Sequence, residues 1–258
     1  MTGAKPRRGA VTLVRIVTLM VVLGAWQAFS LSGVVYQDVV PSLGPIAAAG
    51  VAVLLDPTFY WDAAVTVGEV LVGYVIATAA GIAVGVALGL LPFVRAVCLP
   101  YVNALATTPK IIFLPIVMLA FGVGPTSKMA LGAVAGFFPV VLTAVVGILQ
   151  VDPVLVRVAR SYNLTVWQVI HKVYLPAVRG PILTGMRLGL GVTVVAVLLA
   201  EIKFSNAGLG FLAIDSYNHF RIAELYAVLI IIFLLAAAVN ALMARLEHAF
   251  HGGAPGPR

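Results

Sequence analysis

Residues 151–176 read VDPVLVRVARSYNLTVWQVIHKVYLP, a polar and locally capped stretch inside a chain that is otherwise membrane-like. Asp152-Pro153 supplies a side-chain acceptor at a helix N-cap and then proline at the first helical position, where the missing N–H costs nothing. Leu155, Val158, Ala159 and Tyr162 recur at helical spacing, with Arg157, Arg160 and Ser161 on the other side, which predicts a short amphipathic helix. Asn163 is a tolerable left-handed stop. Thr165-Val166-Trp167-Gln168 has the capping-box form and opens a second helix with Val166, Val169, Ile170 and Val173 on its apolar side. Leu175-Pro176 is expected to end it.

Outward from this island the chain is 62% hydrophobic and only 10% charged, with a mean hydropathy of +1.11. That is the composition of a polytopic membrane protein. Apolar runs at 11–31, 70–91, 99–121, 128–149, 180–203 and 223–246 each approach the ~20 residues a helix needs to cross ~30 Å of hydrocarbon. The expectation is an all-α integral membrane protein with six transmembrane helices. Around them lie a basic N-terminus at 1–10, an external or interfacial segment at 32–69 and a flexible tail at 247–258. The segment 70–246 forms a five-helix core that carries the loop 151–176.

Charge sets the orientation. With the N-terminus inside, the inner segments and the inner halves of the adjoining spans hold twelve of the sixteen basic residues, among them Lys5, Arg7, Arg157, Arg160, Lys172, Arg179 and Arg245. The first outer segment carries Asp38, Asp56, Asp62 and Glu69 with no Lys or Arg. Both termini and the island are therefore expected on the cytoplasmic side. The net charge of +7 reflects membrane topology, and nucleic acid is not an expected partner. The opening resembles a signal peptide, but the run at 11–31 exceeds a usual h-region and has no convincing cleavage site, so an uncleaved first span is expected. Cys98 stands alone, which excludes an internal disulfide and a cysteine metal cluster. His248 and His251 fall at the chain's Gly/Pro-rich end and are not expected to bind metal. His219 has no partner at catalytic spacing.

Gly73, Ala77, Gly81, Gly85 and Gly89 fall four apart along the second span and make a small-residue ridge for close helix packing. Thr107-Thr108-Pro109-Lys110 and Pro115 place two prolines, two hydroxyls and a cation in the third span, and Pro139 interrupts the fourth. Such breaks are tolerated in helices that are buried in protein or line a cavity. A mid-membrane cation costs about 2.5–3.5 kcal/mol on insertion scales, so Lys110 needs a partner, a wet cavity or a shallow depth. Thr107, Thr108, Lys110 and Glu201 are candidates for a translocation path or gate. Glu201 also has Lys203 nearby as a candidate ion-pair partner.

The run Val158-Ala159-Arg160-Ser161-Tyr162-Asn163-Leu164, with Trp167, His171 and Val173-Tyr174-Leu175-Pro176-Ala177, resembles the cytoplasmic EAA loop of ABC importer permeases, and within them the nitrate/sulfonate/taurine group. Pro109-Lys110, Phe121-Gly122-Val123-Gly124, Gly185-Met186-Arg187, Ala200-Glu201 and Gly208-Leu209-Gly210 extend the likeness over about 65–246. The usual loop glycine is Asn163 here, and the acidic first residue of the motif is not obvious.

The resemblance implies a type I importer permease fold with a coupling helix that docks on a separate ATPase. Two permease chains, identical by family expectation, would work with two ATPase subunits and an extracytoplasmic solute-binding protein in a bacterial inner membrane. The implied coupling residues are Leu155, Arg157, Ala159, Arg160, Tyr162, Asn163, Leu164, Trp167, Leu175 and Pro176. No G-x-x-x-x-G-K-[ST] loop is present, so the chain is expected to be a transport subunit rather than an enzyme, with ATP and Mg held by the partner. A secondary transporter would also show broken helices, but it would need more intramembrane carboxylates and no capped island. A DNA-binding hairpin locked between two spans, or an intramembrane protease without its catalytic set, fits less well.

Overall fold

The computed structural model describes residues 8–34 and 39–251, and every regular element among them is helical. In chain order these are α1 (Arg8–Leu31), α2 (Leu43–Leu55), α3 (Pro57–Leu90), α4 (Pro92–Thr107), a 3₁₀ turn (Lys110–Phe113), α5 (Leu114–Phe121) and α6 (Pro125–Leu149). They continue with α7 (Pro153–Ser161), α8 (Val166–Val169), a wide i→i+5 turn (Ile170–Tyr174), α9 (Leu175–Ala177), α10 (Arg179–Phe204), α11 (Leu209–Asn218) and α12 (Ile222–His251). Helices α1, α3, α6, α10 and α12 are long and apolar enough to cross a bilayer. A sixth span is counted only if α4 and Lys110–Phe121, bent by 97°, are one broken crossing.

Several boundaries differ from the expected ones. Helix α3 starts at Pro57 instead of 70 and runs for 34 residues, about 51 Å at 1.5 Å per residue. Asp62 and Glu69, expected in an outer loop, lie in its first half and are buried. The signal was present: Asp56-Pro57 repeats the Asp-Pro pair that opens the helix at Pro153. The third span breaks at Thr108, which is pushed to an extended ψ of 133° before Pro109.

Pro139, by contrast, does not break α6, which runs uninterrupted from Pro125 to Leu149 with neighbours packed closely on two sides. Leu175-Pro176 does not end the second island helix either. A wide turn at Ile170–Tyr174 makes room for the proline ring, and winding resumes through Ala177. Helix α12 runs beyond 246 to His251 because Glu247 finds partners there: it accepts from Thr184 Oγ1 at 2.6 Å and pairs with Arg187 at 3.3 Å. Arg187 also donates to Asn240 Oδ1. Residues 1–7 of the expected basic terminus at 1–10, Asp38, and residues 252–258 of the expected tail at 247–258 lie outside the described residues.

The chain divides into two compact units. In one, the described residues to Pro57 join Ala213–Ile231. There Trp26 donates to Pro41 O, Ser30 Oγ donates to Val40 O, Gln27 accepts from Leu43 N, and the Trp26 and Tyr226 rings meet edge to face at 5.3 Å.

The other unit holds Thr58–Leu212 and the chain from Ile232, and it is built around α6. The small-residue ridge lies on α6 in constant, parallel register. A Cβ at Gly81 would sit 2.7 Å from Val140 Cβ, one at Gly85 2.6 Å from Ala144 Cβ, and one at Gly89 2.6 Å from Ile148 Cβ. At Gly73 a Cβ would lie 2.8 Å from Met129 O, and Ala77 meets Gly136. Only small residues permit this spacing. On its other side α6 packs antiparallel to α10, where Gly136 and Gly189 bring the backbones together and Thr193 Oγ1 donates to Gly132 O at 3.1 Å.

Candidate functional site

The hairpin 151–177 is shaped by local hydrogen bonds. Asp152 Oδ1 accepts from Val154 N at 2.7 Å and caps α7. At the other end Asn163 takes φ 53°, Leu164 N donates to Ala159 O and Asn163 N to Arg160 O. This is a Schellman turn with asparagine where glycine is commonest. The Thr165/Gln168 capping box is complete in both directions.

With its backbone satisfied this way, the hairpin displays apolar side chains. Trp167 is 70% exposed, Tyr162 78% and Leu155 half exposed, with Val154, Val158 and Val166 beside them. Arg157 and Arg160 are exposed, Leu164 is half-buried, and Ala159 is buried beneath the surface. Trp167 stacks edge to face on His171, whose Nδ1 meets Trp167 O. The exit of the hairpin is fixed: Val178 is fully buried against Ala144, Ile148 and Ile182, and Tyr174 packs on the same group.

Lys110, half-buried at the broken span, also finds partners. Its Nζ donates to Ala106 O at 2.9 Å and Thr108 O at 2.6 Å, at the carbonyl end of α4, and lies 4.9 Å from the Phe138 ring centroid. A cation there offsets the partial negative charge of the helix end. The Thr107 and Thr108 hydroxyls donate to Ala104 O.

Glu201 is fully buried and does not pair with exposed Lys203. Its Oε1 accepts from Thr66 Oγ1 at 2.7 Å and its Oε2 from Gly210 N at 2.7 Å. Thr66 Oγ1 in turn accepts from Leu209 N, and Asp62 Oδ1 accepts from Gly208 N, both at 2.8 Å. Three successive N–H groups at the start of α11, orphaned by helix geometry, are thus satisfied by side chains of α3 and α10. Gly208 (φ +108°) and Gly210 are required by this capture, since a Cβ at either would strike the Glu201 side chain within 2.7 Å. Nearby, Lys128, 3% exposed, pairs with Glu69 at 3.5 Å.

Asp62, Thr66, Glu69 and Lys128 were not singled out as site residues from sequence. The first three continue the line of the ridge at Gly73 and Ala77, and this shared helix face is the signal that could have found them.

The described residues thus form a multi-span helical protein with an exposed, locally capped hairpin between two of its apolar helices. The family described as binding-protein-dependent transport system inner membrane component matches residues 77–252. The taurine transport system permease protein TauC of Escherichia coli (strain K12) is 34% identical over 209 residues, covering 79% of this chain and 75% of that protein. The nitrate import permease protein NrtB of Leptolyngbya laminosa is 29% identical over 188 residues, 73% of this chain and 67% of that one. In fold, an inward-facing conformation of the MetNI methionine ABC transporter superposes with a TM-score of 0.65 at 18% identity, over 72% of this chain and 93% of that chain. The chain belongs to the binding-protein-dependent transport system inner membrane components, as an ABC transporter permease of the nitrate/sulfonate/taurine group.

Proposed function

We propose that this chain is the translocation subunit of a bacterial inner-membrane ABC importer for a small anion of the sulfonate, taurine or nitrate kind. It pairs with a second, identical permease chain, two ATPase subunits that hold ATP and Mg, and an external solute-binding protein. The hairpin and both termini face the cytoplasm. The observation that carries this reading is the hairpin: a backbone capped at both ends presents Leu155, Tyr162 and Trp167 to solvent, which makes sense only as a surface kept for a partner. Arg157 and Arg160 form its cationic rim, Asn163 sets its corner, and Ala159 and Leu164 support it from below.

When ATP closes the ATPase pair, the hairpins move with it. Leu175-Pro176 and the buried Val178 pass that motion to α10 and, through the close contact at Thr193 and Gly132, to α6. Lys110, with Thr107 and Thr108, offers a cation and hydroxyls to an anion at the broken span. Glu201 acts as a gate element at the opposite end by holding the 208–210 corner.

The test is co-expression with the ATPase encoded beside this chain, comparing wild type with Arg160→Glu/Trp167→Ala in lipid nanodiscs. The variant is expected to insert normally and lose both co-purification and ATP hydrolysis. Equal retention of the ATPase by both would overturn the docking assignment. Failure of wild type to bind the ATPase would overturn the proposed partnership.

A further inference from the structure

Glu69 is a buried carboxyl whose surroundings do not suit an anion. It is 1% exposed, and neither of its oxygens accepts a hydrogen bond. Its cation, Lys128 Nζ on α6, stands 3.5 Å from Oε1. Its other polar neighbour is Glu201 of α10. Thr66, one turn before Glu69 on the same face of α3, donates to Glu201 Oε1, and the two glutamate carboxyls lie within hydrogen-bonding reach of each other. An ionised carboxylate has no hydrogen to donate, so this contact is a hydrogen bond only when one of the pair is protonated. Two like charges held this close cannot both persist, least of all within a membrane protein's spans and among buried Leu131, Ala200 and Leu209.

We propose that Glu69 and Glu201 bind one proton between them, which makes the pair with Lys128 a neutral buried triad linking α3, α6 and α10. One O–H bond forms, with the proton drawn from water, and the charges then balance: two carboxyls, one proton and one ammonium. Glu201 is the better-supported anion of the two, because it accepts from Thr66 Oγ1 and Gly210 N, so the O–H belongs to Glu69 and points at Glu201. The other groups around the triad supply no second cation: Asp62 of α3 accepts from Gly208 N, the 208–210 corner offers backbone N–H groups, and Lys203 is exposed. The proton thus adds a tie between α3 and α10 beside the Thr66 bond, and parting the two helices would take its acceptor away. This holds whatever solute the subunit carries.

Glu69→Gln puts a neutral amide, still able to donate to Glu201, in place of the protonated acid. The experiment compares infrared spectra of wild type and Glu69→Gln in lipid nanodiscs at neutral pH, in the C=O region of protonated carboxyls, and follows thermal unfolding of both. Wild type is expected to show one such band, shifted on exchange into heavy water, that Glu69→Gln lacks, with Tm kept within about 4 °C. Absence of the band from wild type overturns the proposal and means two anions separated by water. A band that survives in Glu69→Gln places the proton elsewhere and overturns it too. A larger fall in Tm, or a variant that does not fold, also overturns it, because Glu69 would then be required as the anion of Lys128.

Discussion

The hairpin at 151–177 and the buried cluster around Glu201 solve the same problem, orphaned helix-end groups, in opposite ways. In the hairpin every cap comes from within a few residues: Asp152 serves Val154, and Thr165 and Gln168 serve each other. Around Glu201 the first N–H groups of α11 are capped by Asp62 and Thr66, more than a hundred residues away in the chain, and Glu201 itself bridges two helices. Local capping leaves the side chains free for a partner. Distant capping uses them to tie helices together. Substitutions in the hairpin should therefore cost function with little stability, and those in the cluster should cost stability first.

The largest effect is expected at Lys128. Replacing it with alanine strands Glu69, 1% exposed, without its cation, and breaking a buried pair from one side costs about 3–5 kcal/mol. Thermal unfolding in detergent should show a large fall in Tm for Lys128→Ala, and the double change Lys128→Met/Glu69→Leu should recover most of it. A Lys128→Ala protein as stable as wild type would mean that the pair is not structural, and the contrast with the hairpin would collapse.

Asp152→Ala probes the local side. Loss of the single N-cap bond to Val154 costs about 1 kcal/mol, confined to the hairpin. The expected result is an unchanged global Tm, faster amide exchange in α7, and weaker association with the ATPase. A drop in Tm comparable with that of Lys128→Ala would show that the hairpin is as integral to the fold as the cluster.

What could be read from sequence follows the same division. The N-cap at Asp152, the capping box, the left-handed Asn163 and the glycine ridge depend on residues within four positions of one another, and the structure has all of them. The true start of α3 and the partner of Glu201 depend on packing between distant segments. Proximity in sequence pairs Glu201 with Lys203, but the helix face at Val197, Ala200 and Glu201 turns inward and leaves Lys203 outside. Pro139 and Pro176 read as stronger breakers than they are for a related reason. Proline removes one hydrogen bond and crowds one turn, and tight neighbours or a wide turn can absorb both.

The smallest expected effect is at Asn163, and it sharpens the comparison most directly. Asn163 and Phe220 hold the same place in the same kind of turn, with φ 53° and 55°: Phe220 N donates to Tyr217 O and Arg221 N to Ser216 O, as Asn163 N does to Arg160 O and Leu164 N to Ala159 O. Asparagine tolerates the left-handed region through its short polar side chain, so Asn163→Gly is expected to change stability by only a few tenths of a kcal/mol. The sign is set by two opposed effects: glycine relieves the residual Cβ strain and raises the entropy of the unfolded chain. Phenylalanine has no compensating polar contact, so Phe220→Gly should leave the corner at least as stable as before. Equal unfolding midpoints for wild type and Asn163→Gly, with a higher one for Phe220→Gly, would place the strain at Phe220 alone. Were Asn163→Gly also to raise the midpoint by the same amount, the cost would belong to the left-handed turn itself and not to the phenylalanine.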